Sequence, residues 1–184
     1  MKKKIVIEVE VPEGLKASLE GTTNSTVVIS GKNGEIRKKL FDPSIKIAIN
    51  DKKITISADA STKREKRKTG TFRAHIRNMF KGAEEMHVYK LKICSAHFPM
   101  TVTADNGRFS IKNFLGEKIP RTLKLRENVK LDVNGDIIEV SSNDKELAAQ
   151  TAASIEQLTR VTRFDLRIFQ DGCYIIEKDG KVIK

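Results

Sequence analysis

A strand, a turn and a second strand are encoded by Ile45-Lys46-Ile47-Ala48-Ile49-Asn50-Asp51 followed by Ile54-Thr55-Ile56-Ser57. Apolar and polar side chains alternate on both sides of the turn, which is typical of antiparallel strands with one buried face. The pattern returns, at one constant offset, in Val129-Lys130-Leu131-Asp132-Val133-Asn134-Gly135 and Ile138-Glu139-Val140-Ser141. Asn134-Gly135 is a strong hairpin signal because both residues tolerate the positive φ of a tight turn. The chain therefore contains an internal repeat.

Further matches extend the repeat on either side of the hairpins. Upstream, Val27-Val28-Ile29 before Gly34-Glu35 matches Phe109-Ser110-Ile111 before Gly116-Glu117 at nearly the same offset. Downstream, each hairpin is followed by a helical pattern, and aligning Ile76 with Ile155 and Met79 with Leu158 makes the offset shorter. The first half therefore carries a few more residues between hairpin and helix, and this extra segment coincides with the basic run at 63–68.

We therefore predict an α+β fold, a tandem duplication of a small domain in which each copy is an antiparallel sheet with one packed helix. The predicted domains are residues 1–82, with a basic loop and helix, and residues 83–184, with a C-terminal hairpin. Predicted elements of the first are strands near 4–11, 15–19, 26–30, 35–39, 45–49 and 53–57 and a helix near 60–81. Those of the second are strands near 89–95, 100–104, 108–111, 122–126, 129–133 and 137–141 and a helix near 144–162.

Two local patterns complete the second half. Asn143, with Glu146 following at the third position, predicts a capping box at the start of the second helix. After that helix, Asp165-Leu166-Arg167-Ile168 and Gly172-Cys173-Tyr174-Ile175-Ile176 alternate again and predict a terminal hairpin.

Positive charge is concentrated in the first half of the chain. The 184 residues include 35 Lys and Arg against 24 Asp and Glu, a formal net charge of +11. Residues 1–82 hold 19 basic against 9 acidic residues, whereas residues 83–184 hold 16 against 15. Around Glu65, the only acid of residues 63–81, the basic residues are Lys63, Arg64, Lys66, Arg67, Lys68, Arg73, Arg77 and Lys81. This density attracts polyphosphate and releases its condensed counterions, so we predict that these basic residues bind RNA.

The predicted first helix carries an apolar and a basic stripe. The apolar stripe is formed by Phe72, Ile76, Met79 and Phe80. Beside it, Arg73, Arg77 and Lys81 recur at i, i+4 and i+8, a spacing at which like charges repel in a free helix. The basic stripe therefore favours an anionic partner. For the run at 63–68 alone, a solvated loop or helix end is the alternative interpretation.

The sequence lacks motifs for catalysis and for metal or cofactor binding. No two of His75, His87 and His97 have the i, i+4 spacing of a helical metal site. The glycine motifs of nucleotide sites and the Gly-x-Ser-x-Gly of hydrolases are missing. Cys94 and Cys173 are too few for a zinc site or disulfide framework, and we expect both to be reduced. We therefore expect no enzyme activity, no metal, no cofactor, no small-molecule substrate and, without an apolar run of roughly 18 residues, no membrane partner.

Two common RNA-binding modules do not fit the sequence. Gly31-Lys32-Asn33-Gly34 matches the Gly-x-x-Gly loop of a KH domain but lies between two strand patterns instead of two helices. An RRM stacks bases on aromatic side chains, whereas this chain has 8 Phe, 2 Tyr and no Trp and lacks the core motif. Phosphate and shape contacts by Lys and Arg, which suit double-helical RNA, are the expected mode.

Four ordered motifs lie between Thr69 and Ile175, within a match that runs almost from end to end of the chain. They are Thr69-Gly70-Thr71-Phe72-Arg73-Ala74-His75-Ile76-Arg77-Asn78-Met79; Tyr89-Lys90-Leu91-Lys92-Ile93 with Ala96-His97-Phe98-Pro99; Asn113-Phe114-Leu115-Gly116-Glu117-Lys118; and Arg163-Phe164-Asp165 with Phe169-Gln170-Asp171-Gly172-Cys173-Tyr174-Ile175. Together they resemble the archaeal and eukaryotic branch of the large-subunit ribosomal protein six family. The resemblance implies a duplicated α+β domain in a cytoplasmic, ribosome-bound protein. It also implies binding to large-subunit ribosomal RNA near the sarcin–ricin loop and the translation-factor site, beside neighbouring ribosomal proteins and with translation factors nearby.

The resemblance also places RNA-facing positions in the second domain. They are Lys112, Asn113, Arg121, Arg160, Arg163 and Arg167. Single arginines there could equally complement the dipole at a helix C-terminus. In the first domain, the family commonly has Gly-Pro-Lys-Gly where this chain has Gly31-Lys32-Asn33-Gly34, so the rigidity of that turn is open.

Three functional hypotheses follow. The leading one is a structural constituent of the large ribosomal subunit that neutralises phosphate where RNA helices approach one another. The second is a free-standing RNA- or DNA-binding regulator that uses the same basic helix. The third is an enzyme whose site is assembled from distant residues, for which no sequence pattern argues.

Overall fold

The computed structural model describes residues 4–20, 26–50, 52–59, 62–105 and 107–183. The chain divides into two units, Met1–Met86 and His87–Lys184. The predicted domain boundary at residue 82 falls inside the first helix, Lys63–Glu84. Residues 60 and 61 of the predicted helix, and Asp51 of the first hairpin turn, lie outside the described residues.

Each unit consists of antiparallel strands and one long helix. The first contains β1 (Ile5–Glu10), β2 (Lys16–Glu20), β3 (Thr26–Gly31), β4 (Gly34–Lys39), β5 (Ile45–Asn50), β6 (Lys53–Ala58) and α1 (Lys63–Glu84). The second contains β7 (His87–Cys94), β8 (Thr101–Asp105), β9 (Arg108–Lys112), a 3₁₀ helix (Phe114–Gly116), β10 (Arg121–Lys124), β11 (Val129–Asn134), β12 (Ile137–Ser142), α2 (Lys145–Leu158), β13 (Gly172–Lys178) and β14 (Lys181–Val182).

The sequence repeat is realised in the pairing of the strands. The order β1-β6-β5 in the first unit corresponds to β7-β12-β11 in the second, and β2-β3-β4 corresponds to β8-β9-β10. Ile45 faces Ala58, and Val129 faces Ser142, so the two hairpins pair their strands in the same register. The predicted α+β fold with a tandem duplication is confirmed.

Each helix buries an apolar stripe against the strands of its own unit. In α1, which packs mainly on β3 and β6, Ile76, Met79 and Phe80 are buried and Phe72 is partly buried. Ile76 is fully shielded from solvent, so truncating it to Ala is expected to cost about 2–5 kcal/mol. In α2 the buried residues are Ala148, Thr151, Ala152 and Ile155.

Both helices begin differently from the prediction. The basic run at 63–68 is not a loop, because α1 already begins at Lys63. Counted from the aligned residues Ile76 and Ile155, α1 begins three residues earlier than α2 and ends five residues later, which gives 22 residues against 14. Asn143 is not the cap of α2. Asp144 takes that position, and its carboxylate accepts a 2.9 Å hydrogen bond from the N–H of Glu146. Asn and Asp cap helices about equally well, so the pattern did not separate two adjacent candidates.

The match between Gly34-Glu35 and Gly116-Glu117 does not extend to structure. Gly34 opens β4 after a tight turn, whereas Gly116 ends the 3₁₀ helix and β10 begins only at Arg121. Strand pairing places Arg121 opposite Ile111, which makes Arg121 the counterpart of Ile36 in β4. The longer connection of the second unit therefore contains a 3₁₀ helix at the place where the described residues of the first unit form a tight turn.

The predicted terminal hairpin is wrong in its first strand. Residues 165–168 form turns, and the carbonyl of Asp165 accepts from the N–H groups of Ile168 and Phe169 at 3.1 and 2.9 Å. Leu166 and Ile168 are 63% and 61% exposed, so their alternation does not mark a buried face. The second predicted strand is present as β13, which pairs with β7 and, across Asp179-Gly180, with the short β14.

Candidate nucleic-acid interface

The N-terminal turns of α1 carry exposed positive charge. Lys63, Arg64, Lys66 and Arg67 are exposed, and within the described residues none of their side chains forms an ion pair or hydrogen bond. Thr62, at the N-cap, makes no capping hydrogen bond with its side chain. Cations at the positive end of a helix dipole are unfavourable, whereas a bound anion there is favourable. This end of α1 is therefore electrostatically suited to phosphate.

Lys68 differs from the rest of the run because an internal carboxylate holds its ammonium group. Its Nζ donates to Oδ2 of Asp42, and the two side chains are only 29% and 12% exposed. Asp42 also accepts from the hydroxyl and, at 3.0 Å, from the N–H of Ser44. The bond from Lys68, followed by those from Ser44, lowers the pKa of the Asp42 carboxyl to about 2. Lys68 thus joins α1 to the segment before β5, and phosphate binding by Lys68 stays a prediction.

One side of α1 forms a continuous surface that we call the basic face. It consists of Lys63, Arg67, Gly70, Ala74 and Arg77, all of them exposed. At 3.6 residues per turn these positions, spaced by four, three, four and three, lie on one side of the helix. Gly70 and Ala74 lie between Arg67 and Arg77, and these two arginines are about 15 Å apart along the helix axis at 1.5 Å per residue.

The remaining predicted residues of α1 border this face. Lys81 is exposed in the last turn, where its carbonyl accepts a 2.7 Å hydrogen bond from the N–H of Glu85. Arg73 lies nearer the core and is half-buried, and its Nε is shielded without a hydrogen-bond partner in the described part of the chain. The predicted stripe of Arg73, Arg77 and Lys81 is therefore present on the helix, but its members differ in exposure.

The glycine turn of the first unit is fixed by the C-terminal end of α1. The N–H of Asn33 donates to the carbonyl of Ala83 at 3.3 Å, and its Nδ2 donates to that of Gly82 at 3.4 Å. A Cβ on Gly31 would lie 2.7 Å from the same Ala83 oxygen, so only glycine fits there. Asn33 therefore restrains this turn and satisfies carbonyls that the helix end leaves open.

In the second unit, the guanidinium of Arg121 is engaged on all sides. Nη1 donates to the carbonyls of Leu158 at 2.6 Å and Arg160 at 3.4 Å, and Nε donates to the Glu117 carboxylate at 2.8 Å. Cζ lies 4.3 Å from the centre of the Phe114 ring. The hydrogen bond from Arg121 lowers the pKa of the Glu117 carboxyl, which favours the carboxylate form that accepts it. Arg121 fastens the end of α2 to the 3₁₀ turn, and a phosphate contact stays a prediction.

The loop that precedes the 3₁₀ helix offers two of the predicted residues. Lys112 is exposed at the end of β9. Asn113 adopts a left-handed conformation at φ 60°, and its Nδ2 donates to the carbonyl of Pro99 at 2.9 Å. Because Arg121 stacks on the neighbouring Phe114, this loop and the exit of α2 are brought together.

The other predicted residues follow α2. Arg160 and Arg163 are exposed, and Arg163 has a positive φ of 70°. Arg167 is also exposed, but its Nη2 lies 2.7 Å from Oδ2 of Asp165, and this hydrogen bond raises the pKa of the guanidinium. Of these three arginines, Arg160 and Arg163 are the ones whose side chains have no carboxylate partner within the described residues.

Sequence reasoning missed a buried acid that joins two of the motifs. The carboxylate of Asp171 accepts from the N–H groups of Ala96 at 2.6 Å and His97 at 3.0 Å, and it lies 2.8 Å from Nδ1 of His97. Burial raises the pKa of Asp171, but these hydrogen bonds outweigh it and hold the pKa below its ordinary value. The His97 ring also stacks on Phe169, with centroids 4.5 Å apart. His97 is therefore structural, and no local signal connects two residues so distant in the chain.

Neither a metal centre nor a membrane-spanning helix is found in the part of the chain that the structure describes. Its His, Cys, Asp and Glu side chains form no group of three or more suited to a metal ion. Neither described helix is long and apolar enough to cross a membrane.

Comparison with known proteins finds the same family in both units. The family model described as Ribosomal protein L6 matches residues 11–85 and matches again at residues 98–172. The chain is also 44% identical over 176 residues to the large ribosomal subunit protein uL6 of Methanococcus vannielii. That alignment covers 96% of this chain and 95% of the relative. The double match agrees with the strand register, in which one fold occurs twice.

Proposed function

Because this chain belongs to the ribosomal protein L6 family, we propose that it binds large-subunit ribosomal RNA near the sarcin–ricin loop and the translation-factor site. The proposed contacts in the first unit are Lys63, Arg64, Lys66, Arg67, Lys68, Arg73, Arg77 and Lys81. Those in the second unit are Lys112, Asn113, Arg121, Arg160, Arg163 and Arg167. Lys68 and Arg121 are proposed as the weaker contacts of the two sets, because each is also bonded within the protein. Translation factors that approach this part of the cytoplasmic ribosome would be transient neighbours.

Family membership establishes the broader role. The chain is a structural, non-enzymatic protein of the large ribosomal subunit, and its partners there are ribosomal RNA and ribosomal proteins. The hypotheses of a free-standing regulator and of an enzyme are therefore set aside.

The observation that supports RNA contact best is the unpaired charge at the start of α1. Four exposed cations stand where the helix dipole disfavours them. Glu65 lies in the same turn, but no described carboxylate forms an ion pair with any of the four. The free protein gains no stability from this arrangement, whereas a phosphate backbone would be attracted by both the side chains and the helix end. Duplex RNA suits the site because its backbone is read by shape and phosphate contacts without aromatic side chains.

Chemical probing of the RNA backbone tests the location. Large subunits are assembled with the chain and without it, and protections that depend on the chain are mapped. We expect protected backbone in helices adjoining the sarcin–ricin loop. Protection confined to distant RNA would overturn the proposed location.

A pair of matched variants tests the surface. Arg67→Ala with Arg77→Ala removes two charges from the basic face, and Lys16→Ala with Lys39→Ala removes two exposed charges from β2 and β4. We expect only the first pair to weaken co-sedimentation with large subunits in high salt. Equal losses from both pairs would mean that net charge, and not this face, holds the protein.

We further propose that the two units are separate domains, as the repeat predicts. Limited proteolysis of the full chain is expected to cut first near Met86 and to leave two resistant fragments. Early cleavage within α1 or β7 would contradict this division.

A further inference from the structure

Gly70 is an exposed glycine inside a long helix, and the fold makes no use of it. It lies in the second turn of α1, and a Cβ built on it meets no atom within 4 Å. Its φ is not positive, so the backbone does not require glycine there. Glycine in a helix interior is less stable than alanine because it loses more backbone freedom on folding.

The neighbouring residues give no structural reason for the glycine either. Thr69 is buried, and its hydroxyl donates to the carbonyl of Glu65 at 2.5 Å. Thr71 donates in the same way to the carbonyl of Arg67 at 3.0 Å. Both side chains are satisfied within the helix, which continues without a break to Glu84.

What surrounds Gly70 on the surface is a pair of unpaired arginines. Arg67 lies one turn before it and Arg77 two turns after it on the basic face, and within the described residues neither has a carboxylate partner. Between them the face carries only Gly70 and Ala74, both exposed. The surface therefore has a cation at each end and small side chains in between. This shape complements a nucleic-acid strand that comes close to the helix at one point and presents a phosphate on either side of that point.

We infer that Gly70 is the point at which the sugar–phosphate backbone of the bound RNA comes closest to α1, with Arg67 and Arg77 contacting phosphates on either side. The inference rests on the proposed RNA-binding function and adds a residue that carries no charge and that charge counting cannot find. The lack of a side chain at Gly70 allows the RNA to approach closely, and it makes the helix less stable than alanine would.

Substitutions that add an uncharged side chain at Gly70 separate its effect on the stability of the helix from its effect on RNA binding. Gly70→Ala and Gly70→Gln introduce better helix formers into open space, so each is expected to raise the thermal midpoint of the free protein. Gly70→Gln and Ala74→Gln are expected to weaken binding to deproteinised large-subunit ribosomal RNA by roughly tenfold at fixed salt, about the loss of one good contact. Ala48→Gln, at an exposed alanine of β5, is the matched control and is expected to bind within about twofold of wild type.

Each outcome bears on the inference. Binding that is unchanged in Gly70→Gln while the Arg67→Ala, Arg77→Ala pair still binds more weakly would overturn the role of Gly70 and leave the proposed function standing. A pair that binds like wild type would remove the basic face as an RNA surface altogether. A lower thermal midpoint in both Gly70 variants would show that the fold needs the glycine and would also overturn the inference.

Discussion

The side chain of Arg121 closes the C-terminal end of α2, because its Nη1 donates a 2.6 Å hydrogen bond to the carbonyl oxygen of Leu158. The last carbonyls of a helix lack intrahelical partners, and the helix dipole makes that end negative. The guanidinium of Arg121 supplies both a donor for these carbonyls and a positive charge at the negative end of the helix, and it also stacks on Phe114. The same residue that the resemblance suggests as an RNA contact is therefore used inside the protein.

Replacing Arg121 distinguishes these two uses. Arg121→Met is expected to lower the free energy of unfolding by about 1.5–3 kcal/mol, the range for a hydrogen bond to a charged group. The slope of log affinity against log salt is expected to change by less than the roughly 0.9 of one lost phosphate contact. Arg160→Met, which removes an exposed arginine, should do the reverse. A stable Arg121→Met protein with a slope lower by a full contact would make Arg121 a phosphate ligand.

The residues of the basic run are expected to contribute unequally to the salt dependence of RNA binding. Lys66→Ala with Arg67→Ala should lower the salt slope by about 1.8, since both side chains are exposed and unpaired. Adding Lys68→Ala should lower the slope further by less than the roughly 0.9 of a full phosphate contact and should also lower the thermal midpoint, because the ammonium group of Lys68 is shared with Asp42. RNA titrations at several salt concentrations measure the slope, with the Lys16→Ala, Lys39→Ala pair as control. An unaltered slope in the Lys66→Ala, Arg67→Ala variant would mean that these side chains are solvated and do not contact RNA phosphates.

Acid is expected to weaken the attachment of α1 through Asp42. The folded-state pKa of about 2 lies below the ordinary value of 3.8, so the unfolded chain binds the proton more readily. The stabilisation is therefore complete above about pH 4 and is lost as the pH falls towards about 2. Urea unfolding between about pH 5 and about pH 2 should show a shallower decline in Asp42→Asn than in wild type. Asp59→Asn, at an exposed acid 3.5 Å from Lys46, is the control, and equal effects of both variants would refute the assignment.

The two thiols are expected to react at different rates. Cys173 is fully shielded, and burial raises the pKa of its thiol to about 12, so it should resist iodoacetamide in the native protein. Cys94 is partly exposed and should be the site of native labelling. Mass spectrometry counts the adducts, and Cys94→Ser should abolish native labelling. Fewer than two reactive thiols in denaturant without reductant would contradict the expectation that both are reduced.

The duplicated fold could be predicted because its signal is periodic. Alternation fixes which face of a strand is buried, and a one-residue slip between Ile45 and Ala58 would turn every apolar side chain outward. The same alternation misled at 165–168, where Leu166 and Ile168 stay exposed because no neighbouring strand pairs with that segment among the described residues. Periodicity reports a local preference, and pairing decides whether a strand forms.

The candidate site could be predicted only where charge alone identifies it. Counting found the cations of α1, but it could not separate Lys68 from Lys66, because the partner Asp42 lies far from both in the chain. It also could not assign Arg121 to the end of α2 or find Gly70, which carries no charge. Partners of this kind are determined by tertiary structure, which spacing does not encode.

The placement of β13 has a consequence for the order of folding during synthesis. The first unit has one sheet of β1, β6 and β5 and another of β2, β3 and β4, and all these strands have been translated by Ala58. In the second unit β7 lies between β12 and β13, and β13 extends to Lys178. The earliest strand of this unit must therefore wait, with one edge unpaired, until nearly all of the unit has been translated. The first copy can therefore complete both its sheets while the second is still being made, so the unpaired strands of the two similar copies need not be present at the same time.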